Sequence, residues 1–172
     1  MKLIDDKQNM KFELNTFLQV MEGSWISQKT TYYLTINQIC CNQFKYAIHL
    51  NQELTYTDKT NQLHSNQHNL QYYKNSIKEE DIYSFNQTNQ NNDNNLGTIR
   101  RKNNNTLDNY QYSIYKDNCL KIEYRVKNIE YIEYINTINK KFITSIAFLK
   151  KSDKYIAISF SSNIKIKELD II

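Results

Sequence analysis

The spacing of apolar residues along the chain changes once, near residue 23. Before that point apolar side chains recur three and four residues apart, which is typical of an amphipathic helix and predicts one at about 8–22. Gly23 follows, and glycine often ends a helix because it tolerates a positive φ. After Trp25 the period falls to two, in about ten short segments that reach residue 167. The pattern predicts one N-terminal helix followed by an antiparallel meander of strands.

A meander of this length exposes unpaired edge strands unless it closes on itself. We therefore predict an all-β fold in which the meander closes into a β-barrel of about ten strands at about 25–167, within a single domain over residues 1–172. Barrels of about eight to ten strands leave room inside for one small ligand. The Asn/Gln-rich stretches 86–95 and 102–109 are predicted to be loops, because short amide side chains bond to their own backbone.

Composition says more about the source of the chain than about its chemistry. Asn, Ile, Lys and Tyr, all with AT-rich codons, make up nearly half of the residues, which indicates an AT-biased genome such as an organelle's. The formal net charge is +4, but the lysines are interspersed with acids, so a nucleic-acid partner is not indicated. No stretch of 18 apolar residues occurs, so no membrane span is expected.

Disulfide and metal chemistry are not expected from the sequence. The cysteines are Cys40, Cys41 and Cys119, an odd number without a CxxC pair, which argues against a disulfide framework and a structural zinc site. His64 and His68 lie four residues apart, but in a polar stretch without further metal-binding residues. We therefore predict no metal site, and a reducing compartment.

The strongest local motif follows the predicted helix directly. Residues 23–34 read GSWISQKTTYYL and resemble the pattern Gly-x-Trp-x-Ser-Gln-Arg-Thr-x-His-x-Leu of the S-type (CpcS/CpeS) phycobiliprotein lyases. Residues 139–165 resemble the last two strands of that family, and residues 130–134 resemble its acidic segment. The matching positions of the N-terminal structural motif are Gly23, Trp25, Ser27, Gln28, Thr30 and Leu34, and those near the C-terminus are Asn139, Thr144, Ser145, Phe160, Ser162 and Ile164.

The resemblance implies a lipocalin-like (calycin) barrel and a chromophore lyase that needs no metal. Such a lyase holds no permanent cofactor and binds a phycobilin, an open-chain tetrapyrrole such as phycocyanobilin or phycoerythrobilin, as its substrate. It assists thioether attachment of the bilin to a cysteine of an apo-phycobiliprotein subunit. The implied partners are that subunit and, in a homo-dimer or hetero-dimer, another lyase subunit. Together with the AT-rich composition, the resemblance implies a plastid-encoded protein of the chloroplast stroma.

The family's bilin contacts fall on five positions of this chain. A bilin carrier needs cations for two propionates, apolar walls for the rings and a carboxylate near the pyrrole nitrogens. The lysines would hold the propionates, while a serine and an asparagine would orient the pigment. The positions that the resemblance implies are Lys29, Tyr33, Lys141, Ser145 and Asn163.

The catalytic carboxylate is assigned by the same resemblance to Glu130, which would keep the tetrapyrrole protonated, with Glu133 as the other candidate. In the last strand the family's glutamate is Asn163 here, whose amide can hydrogen-bond a pyrrole but cannot exchange a proton with it. Two family arginines become Lys29 and Lys141, which keep the charge but lose the bidentate geometry.

Two other functions stay open at this point. A non-catalytic bilin carrier or lyase partner subunit would bind the pigment and pass it on, and the replacement of a family arginine by Ile143 and of the glutamate by Asn163 favours this. A lipocalin-like binder of a fatty acid or another apolar ligand would be suited equally well by Lys29 and Lys141.

The last strand leaves open which of its faces is inside. Ser159, Ser161 and Asn163 share one face, and the opposite face is more apolar. Periodicity alone favours the apolar face as the core. The resemblance instead places the small polar face inside, so that the apolar face must contact the helix, another protomer or the client protein. The residues of the apolar face are Ile156, Ile158, Phe160, Ile164 and Ile166.

Overall fold

The computed structural model describes residues 14–51, 67–74, 80–87, 96–103, 106–115 and 118–167. One helix, α1, precedes ten strands that follow one another along the chain. The elements are α1 (Leu14–Met21), β1 (Gly23–Tyr33), β2 (Gln38–Asn51), β3 (Gln67–Lys74), β4 (Glu80–Gln87), β5 (Leu96–Lys102), β6 (Leu107–Ile114), β7 (Cys119–Val126), β8 (Ile129–Asn139), β9 (Phe142–Lys151) and β10 (Lys154–Ile166).

The strands form a closed barrel. Each strand pairs antiparallel with its neighbours in sequence, and β10 returns to pair with β1 from Ser24↔Ile166 to Tyr33↔Ala157. This closure satisfies the edges that an open meander would expose. The predicted all-β barrel with an N-terminal helix is therefore confirmed. The part of the predicted helix before residue 14 lies outside the described residues.

The predicted loop at 102–109 is wrong at both ends. β5 still includes Lys102, β6 already begins at Leu107, and the residue that follows β5 is Asn103. Its Oδ1 accepts hydrogen bonds from the backbone N–H of Thr106 at 2.7 Å and from the Thr106 hydroxyl at 3.0 Å. Of the other predicted loop, residues 88–95 lie outside the described residues, and 86–87 belong to β4.

Helix α1 closes one end of the barrel. Leu14, Phe17 and Leu18 are completely buried, which explains the three-and-four spacing of the sequence. The helix ends before Gly23, whose φ of 118° favours a residue without a Cβ. Among the described residues, the helical part has neither the length nor the apolar content that crossing a bilayer requires.

Trp25 joins this helix to the barrel. Its indole is completely buried, and Nε1 donates a hydrogen bond to the Met21 carbonyl at 2.8 Å. Lys165 Nζ donates to the Val20 carbonyl at 3.1 Å and lies 4.9 Å from the centre of a Trp25 ring. The last carbonyls of a helix lack intrahelical partners, so these two side chains satisfy groups that burial would otherwise leave unpaired. The Gly-x-Trp motif therefore fixes the floor of the barrel.

The inner face of β10 is the small polar one. Ser159, Ser161 and Asn163 are buried, whereas Phe160 and Ile164 on the outer face are 52% and 57% exposed. The orientation that the family resemblance implies is confirmed, and the orientation that periodicity alone favours is wrong. Helix α1 lies at the floor, so it leaves the outer phenyl ring and Ile164 uncovered.

Candidate functional site

The barrel encloses a cavity of about 590 Å³, a size that suits a ligand of several rings. At the helix end its lining residues, such as Ile99, Leu120 and Ile143, are buried. At the other end Lys29, Phe44 and Tyr124 are half-buried and Ile129 is exposed, so the cavity opens there. A ligand can therefore enter opposite the helix.

Two unlike walls face each other across this cavity. The wall from β1, β10 and β9 carries small side chains, which is why the barrel is hollow rather than filled. We call it the small-residue wall. Its members are Ser27, Ser145 and Ser161, which line the cavity, and Ala147, Ala157 and Ser159, which are buried on the same face of β9 and β10. The remaining strands contribute an aromatic wall, which consists of Phe44, Tyr46, Tyr72, Tyr83, Phe85, Tyr110, Tyr124 and Tyr131.

The rings of the aromatic wall contact one another. The ring centres of Tyr46 and Tyr72 are 5.1 Å apart, and those of Tyr110 and Tyr124 are 5.0 Å apart. Burial and the Asp81 carboxylate, partly opposed by Arg101, raise the pKa of Tyr72 to about 12. The Tyr72 phenol therefore stays neutral near pH 7, and the aromatic wall offers hydroxyl groups beside a flat hydrophobic surface.

Charged groups interrupt the two walls at a few points. Lys29 lies on the inner face of β1 and makes no hydrogen bond or ion pair within the described part of the chain. Glu133 lies on the inner face of β8 and accepts a hydrogen bond from the Tyr131 hydroxyl at 2.7 Å. Burial, with the neighbouring Glu133, raises the pKa of Tyr131, so the phenol remains the donor in this pair.

Arg101 is a second cation in the cavity, and Nη2 donates to Asp81 Oδ2 at 3.0 Å. Burial by itself would lower the pKa of Arg101, but its hydrogen bond to Asp81 and the adjacent Tyr83 and Tyr110 raise that pKa overall. The guanidinium therefore stays charged. A cavity with apolar rings, small polar residues, two cations and a carboxylate suits an extended, unsaturated anion.

Three of the predicted site residues meet at the cavity. Lys29, Ser145 and Asn163 all line it, because β1, β9 and β10 are neighbours in the barrel. Asn163 Nδ2 donates to the Ile143 carbonyl at 3.2 Å, which leaves its oxygen to accept from a ligand. Ile143, which stands at a family arginine position, is also part of the lining.

Glu130 does not meet them, and its predicted place in the site is wrong. Alternate residues of a strand face opposite sides, so Glu130 points outward while Glu133 points into the cavity. Glu130 forms ion pairs with Arg125 and, at 3.0 Å, with Lys150. The hydrogen bonds from Arg125 and Lys150 hold its pKa below the usual range.

Lys141 and Tyr33 also lie away from the cavity lining. The hairpin between β8 and β9 turns at residues 140–141, so Lys141 is exposed at the helix end and not on the inner face of a strand. Tyr33 has the inward parity of Lys29, but it is the last residue of β1 and is 41% exposed beyond the cavity. The family resemblance placed residues from 139 onward in a strand, but β9 begins only at Phe142, which accounts for the error at Lys141.

The sequence interpretation missed Arg101 and the tyrosines of the aromatic wall. Strand alternation does group Arg101 with Gly97 and Ile99 on one face of β5. The sequence does not show which face of β5 points inward, so Arg101 could not be assigned to the cavity. Of the two histidines that lie four residues apart, His64 falls outside the described residues, and within the described ranges no group of three metal-ligating side chains occurs.

A chromophore lyase CpcS/CpeS homolog of Gracilaria tenuistipitata var. liui is 32% identical to this chain over 151 residues, which is 87% of this chain and 95% of that protein. The chain belongs to the CpcS/CpeS family. The resemblance seen at the two ends of the sequence is therefore confirmed. No family model matches the sequence, so the membership depends on this relative and not on a family profile.

Solved structures support the same lipocalin-like fold for this CpcS/CpeS chain. The S-type phycobiliprotein lyase CPES from Guillardia theta superposes with a TM-score of 0.64 over 92% of this chain and 96% of that chain, at 10% identity. A protein of unknown function from the DUF3598 family of Nostoc punctiforme PCC 73102 superposes with a TM-score of 0.56 over 87% of this chain and 48% of that chain, at 7% identity. At such low identities these likenesses show the fold alone.

Proposed function

We propose that the chain is a phycobiliprotein lyase, which binds a phycobilin in the barrel and assists its thioether attachment to a cysteine of a phycobiliprotein subunit. The observation that carries the proposal is the cavity of about 590 Å³ with Lys29 and Glu133 in its lining, in a member of the CpcS/CpeS family. The cation suits a propionate, and the carboxylate suits the pyrrole N–H groups.

The aromatic and small-residue walls would accommodate the rings. A bilin is flat over each pyrrole unit, so the phenols of Tyr46 and Tyr72 offer stacking surface and Ser145 and Ser161 leave space opposite. The barrel would fix one conformation of a flexible, reactive pigment and present its ring A ethylidene at the open end. Proximity and orientation of that kind lower the barrier to addition of a client thiolate.

Glu133 takes the catalytic role that the sequence had given to Glu130. A carboxylate beside the pyrrole nitrogens favours the protonated, more electrophilic tetrapyrrole. Glu133→Gln is expected to lower the rate of attachment by about a hundredfold or more, which is the usual scale of a lost acid–base group. Glu130→Gln is the matched control, because Glu130 lies on the outer surface, where it forms ion pairs with the two neighbouring strands. This variant is expected to change the rate less than twofold.

The direct test combines the purified chain with phycocyanobilin or phycoerythrobilin and then with an apo-phycobiliprotein subunit. Binding is expected to shift and sharpen the bilin absorbance. A covalent adduct, seen as zinc-induced fluorescence on a denaturing gel, is expected only when all three components are present. If the bilin binds and no adduct forms, the chain is instead a non-catalytic carrier or partner subunit, which the missing carboxylate at Asn163 would explain. If no absorbance shift occurs, both pigment functions are refuted.

A phycobiliprotein subunit is the partner that this function requires. Dimer formation and the plastid compartment stay predictions from the resemblance and from composition. Gel filtration of the chain alone and with the client subunit checks the first, and the genome that encodes the chain checks the second.

A further inference from the structure

Arg101 stands on the wall that faces Lys29. Around the ten-strand barrel, β5 is separated from β1 by three strands on one side and five on the other, so the two cations lie on nearly opposite walls. The Arg101 guanidinium carbon is 5.9 Å from the centre of the Tyr83 ring, and Arg101 also hydrogen-bonds to the Tyr110 side chain. The aromatic wall thus holds it in place.

The hydrogen-bonding capacity of this guanidinium is not used up. Its Nε is buried and has no hydrogen-bond acceptor among the described residues. Asp81 contacts a single terminal nitrogen, at 3.0 Å, whereas a carboxylate that faces a guanidinium squarely forms two parallel hydrogen bonds. Since a buried donor without an acceptor is destabilising, a further acceptor in the cavity would be bound favourably here.

The ion pair is also accessible from the cavity. The Arg101 and Asp81 side chains are 31% and 18% exposed, and Arg101 is part of the cavity lining. A pair with this exposure exchanges partners more readily than one locked in a core, because neither charge must be stripped of all solvent.

We propose that Arg101 binds a carboxylate of the bilin and that Asp81 competes with the bilin for the same guanidinium. The inference rests on the proposed function, since it names the second carboxylate contact of that site. Asp81 lowers the affinity for the pigment, and it keeps the guanidinium paired when the pigment leaves. A protein that must hand its ligand on gains faster release from such an internal competitor.

Asp81→Asn tests the competition, because it removes the charge and keeps the shape. The full chain is titrated with biliverdin, which has two ionised propionates. It is also titrated with biliverdin dimethyl ester, in which both propionates are methyl esters and carry no charge. Asp81→Asn is expected to tighten biliverdin binding roughly three- to tenfold and to slow its dissociation in stopped-flow displacement. Affinity for the dimethyl ester is expected to change less than twofold.

Asp108→Asn is the matched control. Asp108 is paired with Arg101 in the register of β5 and β6 but forms no ion pair with it in the described part of the chain. A general gain from removing any nearby acid would appear equally in both variants and would overturn the proposal. Arg101→Gln is expected to weaken the affinity for biliverdin about tenfold without changing the affinity for the ester. Arg101→Lys is expected to have an intermediate effect, because lysine keeps the charge but loses the bidentate geometry of the guanidinium. Far-UV circular dichroism confirms that each variant is folded.

The outcomes separate the two proposals. If biliverdin binds the unaltered chain and Asp81→Asn leaves its affinity unchanged or weaker, the competition by Asp81 is refuted and pigment binding stands. If Arg101→Gln weakens acid and ester alike, the guanidinium acts on the fold and not on a carboxylate, which also refutes it. If neither biliverdin nor a phycobilin binds the unaltered chain, both proposals fail.

Discussion

Lys29→Gln probes the cavity cation whose side chain has no ion-pair partner among the described residues. The ammonium lies on the inner face of β1, beside the small-residue wall, and it is half-buried at the open half of the cavity. A bilin propionate at about 4 Å would gain about 1 kcal/mol in water and about 4 kcal/mol at the effective dielectric of a protein surface. The partial exposure of Lys29 places the loss between these limits, at about 2 kcal/mol.

A loss of that size corresponds to roughly a thirtyfold rise in the Kd for a phycobilin. Absorbance titration of the variant and the unaltered chain measures it, at low and at physiological salt. Lys45→Gln is the matched control, because Lys45 lies one strand away on β2, points outward and is exposed. The control is expected to bind as tightly as the unaltered chain. A change below about threefold for Lys29→Gln, or an equal change for Lys45→Gln, would show that the reasoning from strand parity is wrong.

Three further expectations concern stability, each measured by urea unfolding followed by far-UV circular dichroism. Trp25→Phe removes the hydrogen bond to Met21 and part of a buried indole. It should lower the free energy of unfolding by about 2–3 kcal/mol. A loss under about 0.5 kcal/mol would contradict the conclusion that Trp25 joins the helix to the barrel. Gly97→Ala would bring a Cβ to 2.5 Å from the Tyr112 ring and against the backbone carbonyl of Asn86, so a cost of about 1–3 kcal/mol is expected. A neutral result would refute this close approach. Phe160→Ser, on the outer face of β10, should cost less than about 1 kcal/mol, and a larger loss would mean that this ring packs inside the fold.

The helix and the barrel could be predicted because both follow from periods in the sequence. Apolar positions three and four apart describe the buried face of α1, and alternation describes strands that face a cavity on one side. The positions of the turns between strands were predicted less well. The family resemblance placed Lys141 on the penultimate strand, and no glycine or proline marks the hairpin at 140–141 to correct that placement, in a chain that contains no proline at all.

The site residues could be predicted only where the sequence showed which alternate residues of a strand face the cavity. For β10 the family resemblance decided the parity correctly, and Ser161 and Asn163 do line the cavity. For β8 the same resemblance left Glu130 and Glu133 both eligible, and a difference in parity put the chosen one outside. Arg101 belongs to a stretch with no matching motif. Its role depends on Asp81, which lies on the neighbouring strand β4 two residues from Tyr83, the register partner of Arg101, and no local pattern shows this contact.

The pairing of β1 with β10 has a consequence for biosynthesis. Residues 24–33 meet residues 157–166, so the wall that carries Lys29 is completed only after all the strands between them have been synthesised. Contacts so distant in sequence close late and make folding slow. Until then β1 and β9 each present an open edge, the form of a sheet that is most prone to aggregate. The cavity is therefore closed only once β10 has paired with β1, and chains interrupted before β10 should be found in the insoluble fraction.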